Sequence, residues 1–212
     1  MRALTYLIAV FLWVTGITSC FPQQLMDTLQ LKVRKPELRK ELLAMLKRDQ
    51  QIRTDFINRM TDFFSLDSAR FVSIFDSVDT MNTARMKQII AQYGWPGTSL
   101  VGKDGAEAAF SLVEHADRDT AFQIRCLALV QQAYANGEAS GEQLAMLTDR
   151  IRVNQGRPQV YGNSITISPG GTFVVDPIED EANVDKRRAE LGLLPLSEYL
   201  EALKEALNLK KK

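Results

Sequence analysis

Apolar residues recur at steps of three and four through the segment "PELRKELLAMLKRDQQIRTDFINRM", residues 36–60. This spacing places the apolar side chains on one stripe of a helix, which then packs against a core. Pro36 suits the first turn of such a helix, where a backbone N–H is not needed. The pattern therefore predicts a long amphipathic helix that begins at Pro36.

The helical pattern continues over most of the remaining chain. Asp79 is a favourable N-cap for the next regular helix, which Gly94 and Pro96 would end. We predict one uninterrupted helix over 106–136 and another over 140–153. Two shorter helices are predicted near the C-terminus, after Asn183 and after Pro195.

One segment has the period of a strand rather than of a helix. In "SITIS" apolar and polar residues alternate, "TFVVD" follows it, and Gly170 and Gly171 lie between the two. This arrangement predicts a small hairpin near 164–176. The predicted fold is mainly α (class α+β), with about six helices packed in one domain over 36–212 and a small β-hairpin near its C-terminal end.

The first twenty residues, "MRALTYLIAVFLWVTGITSC", have the organisation of a secretory signal. Arg2 is basic, and the apolar run at 7–14 is much shorter than the roughly 20 residues of a spanning helix. The ending "ITSC" resembles the bacterial lipobox, whose cysteine is lipidated. We therefore expect a lipoprotein signal peptide at 1–19, lipid on Cys20, and an N-terminal tether with a short helix at 20–35. A plain signal peptide or an N-terminal membrane helix is the alternative.

Lipid on Cys20 would attach the protein to a membrane of the bacterial cell envelope. An Asp after the cysteine would resemble a signal for retention in the inner membrane, and Phe21 stands there instead. We therefore expect the outer membrane, facing the periplasm.

Charge and cysteine content exclude several classes of function. The 212 residues contain 26 Lys and Arg and 26 Asp and Glu. The chain therefore lacks the excess of basic residues that is typical of nucleic-acid-binding proteins. Apart from Cys20, Cys126 is the only cysteine, which excludes an intramolecular disulfide or a zinc site built from cysteines. Its apolar neighbours predict a buried, inert thiol. No phosphate loop or nucleophile elbow appears, so we predict no cofactor.

Several short polar motifs from about Glu41 to Tyr199 follow one another in the order of a bacterial family of domains of unknown function, which the chain resembles. They are "DQQIR", "VDTMN", "YGWPG", "VG", "HAD", "LTDRI", "GRPQVYG" and "PIEDEANVDKRRAELGL". In that family Thr and Gln usually follow "YG", whereas this chain has Asn163 and Ser164, so any ligand contact there can differ. The resemblance implies candidate site residues and no particular reaction.

His115 is the only histidine of the chain, and charged residues surround it in "LVEHADRD". On an uninterrupted helix Asp119 would lie one turn further on and could orient the ring, as a general acid or base requires. The alternative is a histidine hydrogen-bonded at the edge of the core. A metal site is not predicted, because a second histidine is lacking and the fuller ligand shell has no evident source.

Further polar residues could meet His115 in the folded chain. Asp49 and Arg53 have the spacing of a helix ion pair, and a glycine-flanked loop carries two neutral hydrogen-bonding groups. Arg150 is expected to turn inward, either to pair with Asp49 or Asp79 or to hold an anionic group of a ligand, and its neighbour Asp149 cannot face the same way. The predicted ligand-binding residues are Asp49, Arg53, Asp149, Arg150, Gln159 and Tyr161.

Three functions fit these residues. The first is a lipid-anchored envelope protein whose polar pocket binds a small polar molecule or a peptide end. The second is an envelope hydrolase or transferase in which His115 is the general base and Arg150 holds an anion. The third is a structural or interaction lipoprotein without a pocket.

Overall fold

The computed structural model describes residues 33–60, 68–167 and 173–208. The predicted signal peptide, the lipidation site Cys20, the short helix of the tether and the hairpin turn at Gly170 and Gly171 lie outside these ranges. Within them the chain forms seven α-helices and one two-stranded antiparallel sheet. The predicted class, mainly helical with a small hairpin, is confirmed.

The helices and strands are numbered in chain order. The helices are α1 Pro36–Met60, α2 Ser68–Tyr93, α3 Thr98–Glu114, α4 Thr120–Ala135, α5 Gly141–Asn154, α6 Val184–Glu190 and α7 Leu196–Asn208. A 3-10 turn at Glu181–Asn183 leads into α6. The strands are β1 Ile165–Ile167 and β2 Phe173–Val175, with Ile165 opposite Val175.

The chain groups into two compact units. The helical unit, residues 31–144, contains α1 to α4. The described part of the C-terminal unit, 145–167 and 173–208, contains the hairpin, α6 and α7, and α5 crosses from one unit to the other. The single domain over 36–212 stays a prediction.

Helix α3 is the central element of the helical unit. It packs on α1, and α2 packs on both. Apart from Glu107, the residues of α3 from Gly105 to Glu114 are buried. Leu42 of α1 and Met86 of α2 are fully buried as well, so the apolar faces of three helices form one core.

The predicted helix over 106–136 is wrong in one respect, because the chain forms two helices there. Helix α3 ends at Glu114, and α4 begins at Thr120. The Asp119 side chain accepts from the backbone N–H of Phe122 at 2.9 Å and thereby caps α4, a role that an interrupted helix makes possible. Because this predicted helix is two helices, the described residues form seven α-helices and not about six.

The predicted starts of two other helices are also wrong. Helix α2 begins at Ser68, so Asp79 lies inside the helix and is not its N-cap. Helix α3 begins at Thr98, well before the predicted helix start at residue 106. Its regularity is broken at Gly102, whose φ of 77° and ψ of 166° suit glycine and few other residues.

Candidate functional site

Charged side chains of α1 and α2 meet in the helical unit. Arg53 Nε and Nη2 donate to the two carboxylate oxygens of Asp49 at 3.1 and 3.2 Å, the ion pair that the sequence spacing predicts. Arg53 Nη2 also donates to Asp79 Oδ1 at 2.8 Å. One guanidinium group therefore joins two carboxylates on neighbouring helices.

His115 extends this chain of charges. Its Nδ1 lies 2.9 Å from Asp49 Oδ2, and its Nε2 lies 3.3 Å from Glu114 Oε2. Both contacts are at ion-pair distance, although neither has the alignment of a hydrogen bond. Glu114, His115, Asp49, Arg53 and Asp79 together are called the His115 cluster.

The end of α3 positions the ring. His115 is the C-terminal cap of α3, and its backbone N–H donates to the carbonyl of Ser111. Gln123 of α4 is fully buried, and its Nε2 donates to the Glu114 carbonyl at 2.9 Å and contacts the Val113 carbonyl at 3.3 Å. Gln123 therefore provides a donor for the Glu114 carbonyl at the helix end, and it fixes the turn that carries His115.

The expected pairing of His115 with Asp119 is wrong. Asp119 bonds to Lys87 of α2 at 2.5 Å and caps α4, because the chain leaves the helix between the two residues. Asp49, from a helix far away in sequence, is the carboxylate next to the ring.

Exposure falls from one end of the His115 cluster to the other. The side chains of Asp79 and Arg53 are 22% and 26% exposed, whereas those of His115 and Asp49 are 6% and 1% exposed. The cluster is thus buried at the imidazole and reaches solvent at the arginine and the second aspartate.

The two aspartates of the cluster have pKa values that depart in opposite directions. Burial alone would raise the pKa of Asp49, but contacts with His115 and Arg53 outweigh burial and lower it. Burial raises the pKa of Asp79 to about 6, and the charges of Arg53 and His115 only partly offset this. Groups of one type whose pKa values are driven apart are typical of acid–base and binding sites.

The remaining predicted residues, Asp149, Arg150, Gln159 and Tyr161, belong to the C-terminal unit. The structure brings Asp49, Arg53 and His115 together in the helical unit, so three of the seven candidates meet there. That all seven line one pocket stays a prediction.

Asp149 holds the loop at 159–163. Its Oδ1 accepts from the backbone N–H groups of Val160 at 2.7 Å and Tyr161 at 3.0 Å. Its Oδ2 accepts from the backbone and the side chain of Asn163 at 3.0 and 2.9 Å. Burial raises the pKa of Asp149, while these four donors favour the charged form. The carboxylate therefore fixes the loop conformation.

Gln159 is also engaged by its own loop. Its Oε1 accepts from the Ser164 N–H at 2.7 Å, and its Nε2 donates to the carbonyls of Ser164 at 3.0 Å and Asp176 at 2.8 Å. The side chain is fully buried. Both polar atoms are thus used inside the C-terminal unit, which makes Gln159 a positioning residue there.

Asn163 and Ser164, which follow the glycine of "YG", both take part in this loop. Asn163 donates to Asp149, and Ser164 Oγ donates to Asp176 Oδ2 at 2.6 Å. Both side chains therefore supply loop contacts in this chain.

Arg188 is a residue that the sequence reasoning missed. It is 2% exposed, and it donates to the carbonyls of Tyr161 and Leu194, each at 2.6 Å. Its guanidinium also lies 4.9 Å from the centre of the Tyr199 ring. The signal was the motif "DKRRAELG", in which one arginine falls on the inner side of α6.

Arg150 is buried, as predicted, and Tyr161 is half-buried.

Three other properties bear on the possible chemistry. Burial raises the pKa of the Cys126 thiol to about 12, and the side chain is buried, as predicted. Over the described ranges, no three His, Cys, Asp or Glu side chains are arranged to hold a metal ion. None of the helices that the structure describes has the length and apolar character needed to cross a membrane.

The fold and the site define a mainly helical domain with a buried acid–base cluster, and a fold of this kind does not fix a function. The chain belongs to a family of unknown function, DUF6624, whose model matches residues 36–212. This match confirms the predicted resemblance to a family of domains of unknown function. No curated protein and no solved structure matches the chain.

Proposed function

We propose that the protein is a lipid-anchored component of a bacterial cell envelope and that its His115 cluster binds a small polar molecule or the end of a peptide. The observation that carries the proposal is the gradient of exposure, from a buried imidazole to an arginine and an aspartate that reach solvent. The lipobox ending at Cys20 supports the anchor.

The balance of charge within the cluster favours a binding role over a structural one. Two carboxylates of the cluster, those of Asp49 and Asp79, share the guanidinium group of Arg53, and the Asp79 side chain is 22% exposed. Burying charged groups costs desolvation energy, and such costs are typically kept where a site needs them.

A second ion pair also joins α1 to α2, outside the His115 cluster. Arg85 of α2 donates to both carboxylate oxygens of Glu41 on α1, at 2.6 and 3.0 Å. These side chains are 38% and 37% exposed, so the pair forms without a large desolvation cost. Glu41 is therefore a matched control, since it pairs with an arginine across the same two helices outside the cluster.

A thermal-shift screen of the full-length protein in detergent tests the proposal, with small polar molecules and short peptides as ligands. A ligand at 100 times its Kd stabilises the folded state by about 2.7 kcal/mol. We expect at least one compound whose shift is lost in His115→Ala and kept in Glu41→Gln. Shifts that survive in His115→Ala would place binding elsewhere.

An envelope hydrolase or transferase is a second candidate, because Asp49 Oδ2 lies 2.9 Å from His115 Nδ1. A carboxylate at that nitrogen orients an imidazole for general-base catalysis. Nε2, the nitrogen that would take the proton, already faces Glu114 at 3.3 Å, which is why binding is our first proposal. Hydrolysis of an ester or amide substrate that Asp49→Asn and His115→Ala both abolish would favour the enzyme.

A further inference from the structure

We infer that the His115 cluster takes the amino end of its ligand, with Asp79 binding an ammonium group and Asn82 donating to the neighbouring carbonyl oxygen. This inference rests on the proposed function and narrows its ligand to an amine-bearing molecule such as a peptide amino terminus.

At the open end of the cluster, two carboxylates share one guanidinium group. Arg53 is shared between Asp49 and Asp79, so one guanidinium faces two carboxylates. Arg53 meets Asp79 at Oδ1, and Asp79 is 22% exposed, so solvent or a ligand can reach it. An ammonium group would add a positive charge beside Asp79, whereas a ligand carboxylate would add a third negative group beside the same arginine.

Asn82 provides an independent indication. It follows Asp79 by three residues on α2, so the two side chains leave the same face of the helix. Asn82 is 6% exposed, and its Nδ2 has no hydrogen-bond partner in the part of the chain that the structure describes. Buried amide donors without a partner are rare and unfavourable, and this one requires an acceptor such as a carbonyl oxygen.

The spacing of the two groups suits an amino terminus. Side chains three residues apart on a helix have Cβ atoms about 5–6 Å apart. In a peptide amino terminus the ammonium nitrogen and the first carbonyl are attached to the same Cα, so one can meet Asp79 while the other meets Asn82. A carboxyl terminus would instead bring a further negative charge to Asp79, beside an arginine that already binds two carboxylates.

The protonation of Asp79 adds a measurable consequence. Asp79 faces Arg53 and Asp49 of α1, and His115 and Asp117 near the end of α3, and burial raises its pKa to about 6. At about pH 5.5 roughly three-quarters of the groups are protonated, and at about pH 7.5 almost none are. Because an ammonium group stabilises the carboxylate, its binding should release a proton at the lower pH only.

Calorimetry on the full-length protein in detergent tests the inference with four derivatives of alanyl-alanine. The amine is free or acetylated, and the carboxyl is free or amidated. We expect the free-amine amide to bind at least about tenfold more tightly than the doubly blocked form and to release about half a proton or more at pH 5.5. Asp79→Asn should lose both effects, and Glu41→Gln should keep both.

Asn82→Ala tests the second contact separately. Alanine amide should bind the unmodified protein more tightly than ethylamine, which lacks a carbonyl, and this advantage should disappear in the variant. Unfolding curves of each variant establish that it is folded before binding is measured. An advantage that persists in Asn82→Ala would overturn the assignment of the carbonyl to Asn82.

The remaining outcomes separate this inference from the proposed function. Tighter binding of the acetylated peptide with a free carboxylate, or an amine preference that survives Asp79→Asn, would overturn the inference. If the amine probes fail while another compound binds and is lost in His115→Ala, the inference is wrong and the proposed function stands. If nothing binds at the cluster, both are wrong.

Discussion

Replacing Asp79 by Asn should make the protein more stable at neutral pH and leave its stability at low pH nearly unchanged. Burial raises the pKa of Asp79 from 3.8 to about 6. A carboxyl whose pKa is raised in the folded state contributes its full stability below the unfolded value, and this contribution is lost as the pH rises through the folded value. The variant has no carboxyl group at residue 79, so its free energy of unfolding does not fall for this reason as the pH rises.

The size of the effect follows from the pKa shift. Each unit corresponds to about 1.4 kcal/mol, so a shift of about two units lowers the free energy of unfolding by about 3 kcal/mol where Asp79 is ionised in both states. At about pH 4 only a small part of this loss has developed. The attraction to Arg53 is already contained in the pKa. The stability of Asp79→Asn relative to the unmodified protein should therefore rise by about 2 kcal/mol between pH 4 and pH 7.5.

Urea unfolding at the two pH values measures this difference, and Glu41→Gln is the control. Hydrogen bonds from Arg85 lower the pKa of Glu41 despite its partial burial. Its contribution to stability is therefore present above the unfolded pKa and is lost as the pH falls, so Glu41→Gln should be destabilising at pH 7.5 and nearly neutral at low pH. If the difference in unfolding free energy between Asp79→Asn and the unmodified protein does not depend on pH, or has the sign seen for Glu41→Gln, burial does not raise the pKa of Asp79.

Three further predictions concern other parts of the chain. Cys20→Ala should abolish lipid labelling and membrane retention, and labelling that persists in this variant would exclude lipidation at Cys20. Fractionation of the unmodified protein should place it in the outer membrane. Cys126→Ala should cost about 1 kcal/mol or somewhat more without changing function, and the native thiol should react slowly with a thiol reagent, because it is buried and its pKa is about 12. Asp149→Ala should cost about 3 kcal/mol or more in urea unfolding, since four N–H groups lose their acceptor, and an unchanged stability would show that water replaces it.

Much of the fold could be predicted from local pattern. The apolar period and Pro36 predicted α1, and the alternation around Thr166 predicted the hairpin. Gly192, at a φ of 70°, lies just after the end of α6, where glycine commonly ends a helix. The break at Asp119 was missed, because an apolar run continues on both sides and only the capping bond to Phe122 distinguishes two helices from one.

The site was less predictable, because its contacts join distant segments. The Asp49–Arg53 pair follows from a four-residue spacing, but the approach of Asp49 to His115 depends on the packing of α1 against α3. Asp79 was expected at a helix terminus, the favoured place for an isolated Asp, and its contact with Arg53 occurs inside α2 instead. Pattern alone does not reveal such tertiary pairings.

The most direct test of the proposed binding site at the His115 cluster compares stability and ligand binding in His115→Ala. If the His115 cluster is a binding site, the variant should unfold at nearly the same or a higher urea concentration and should lose the ligand found by thermal shift. Breaking a buried charge pair that only holds helices together costs about 3–5 kcal/mol. A loss of that size, with normal ligand binding by the fraction that remains folded, would contradict the account.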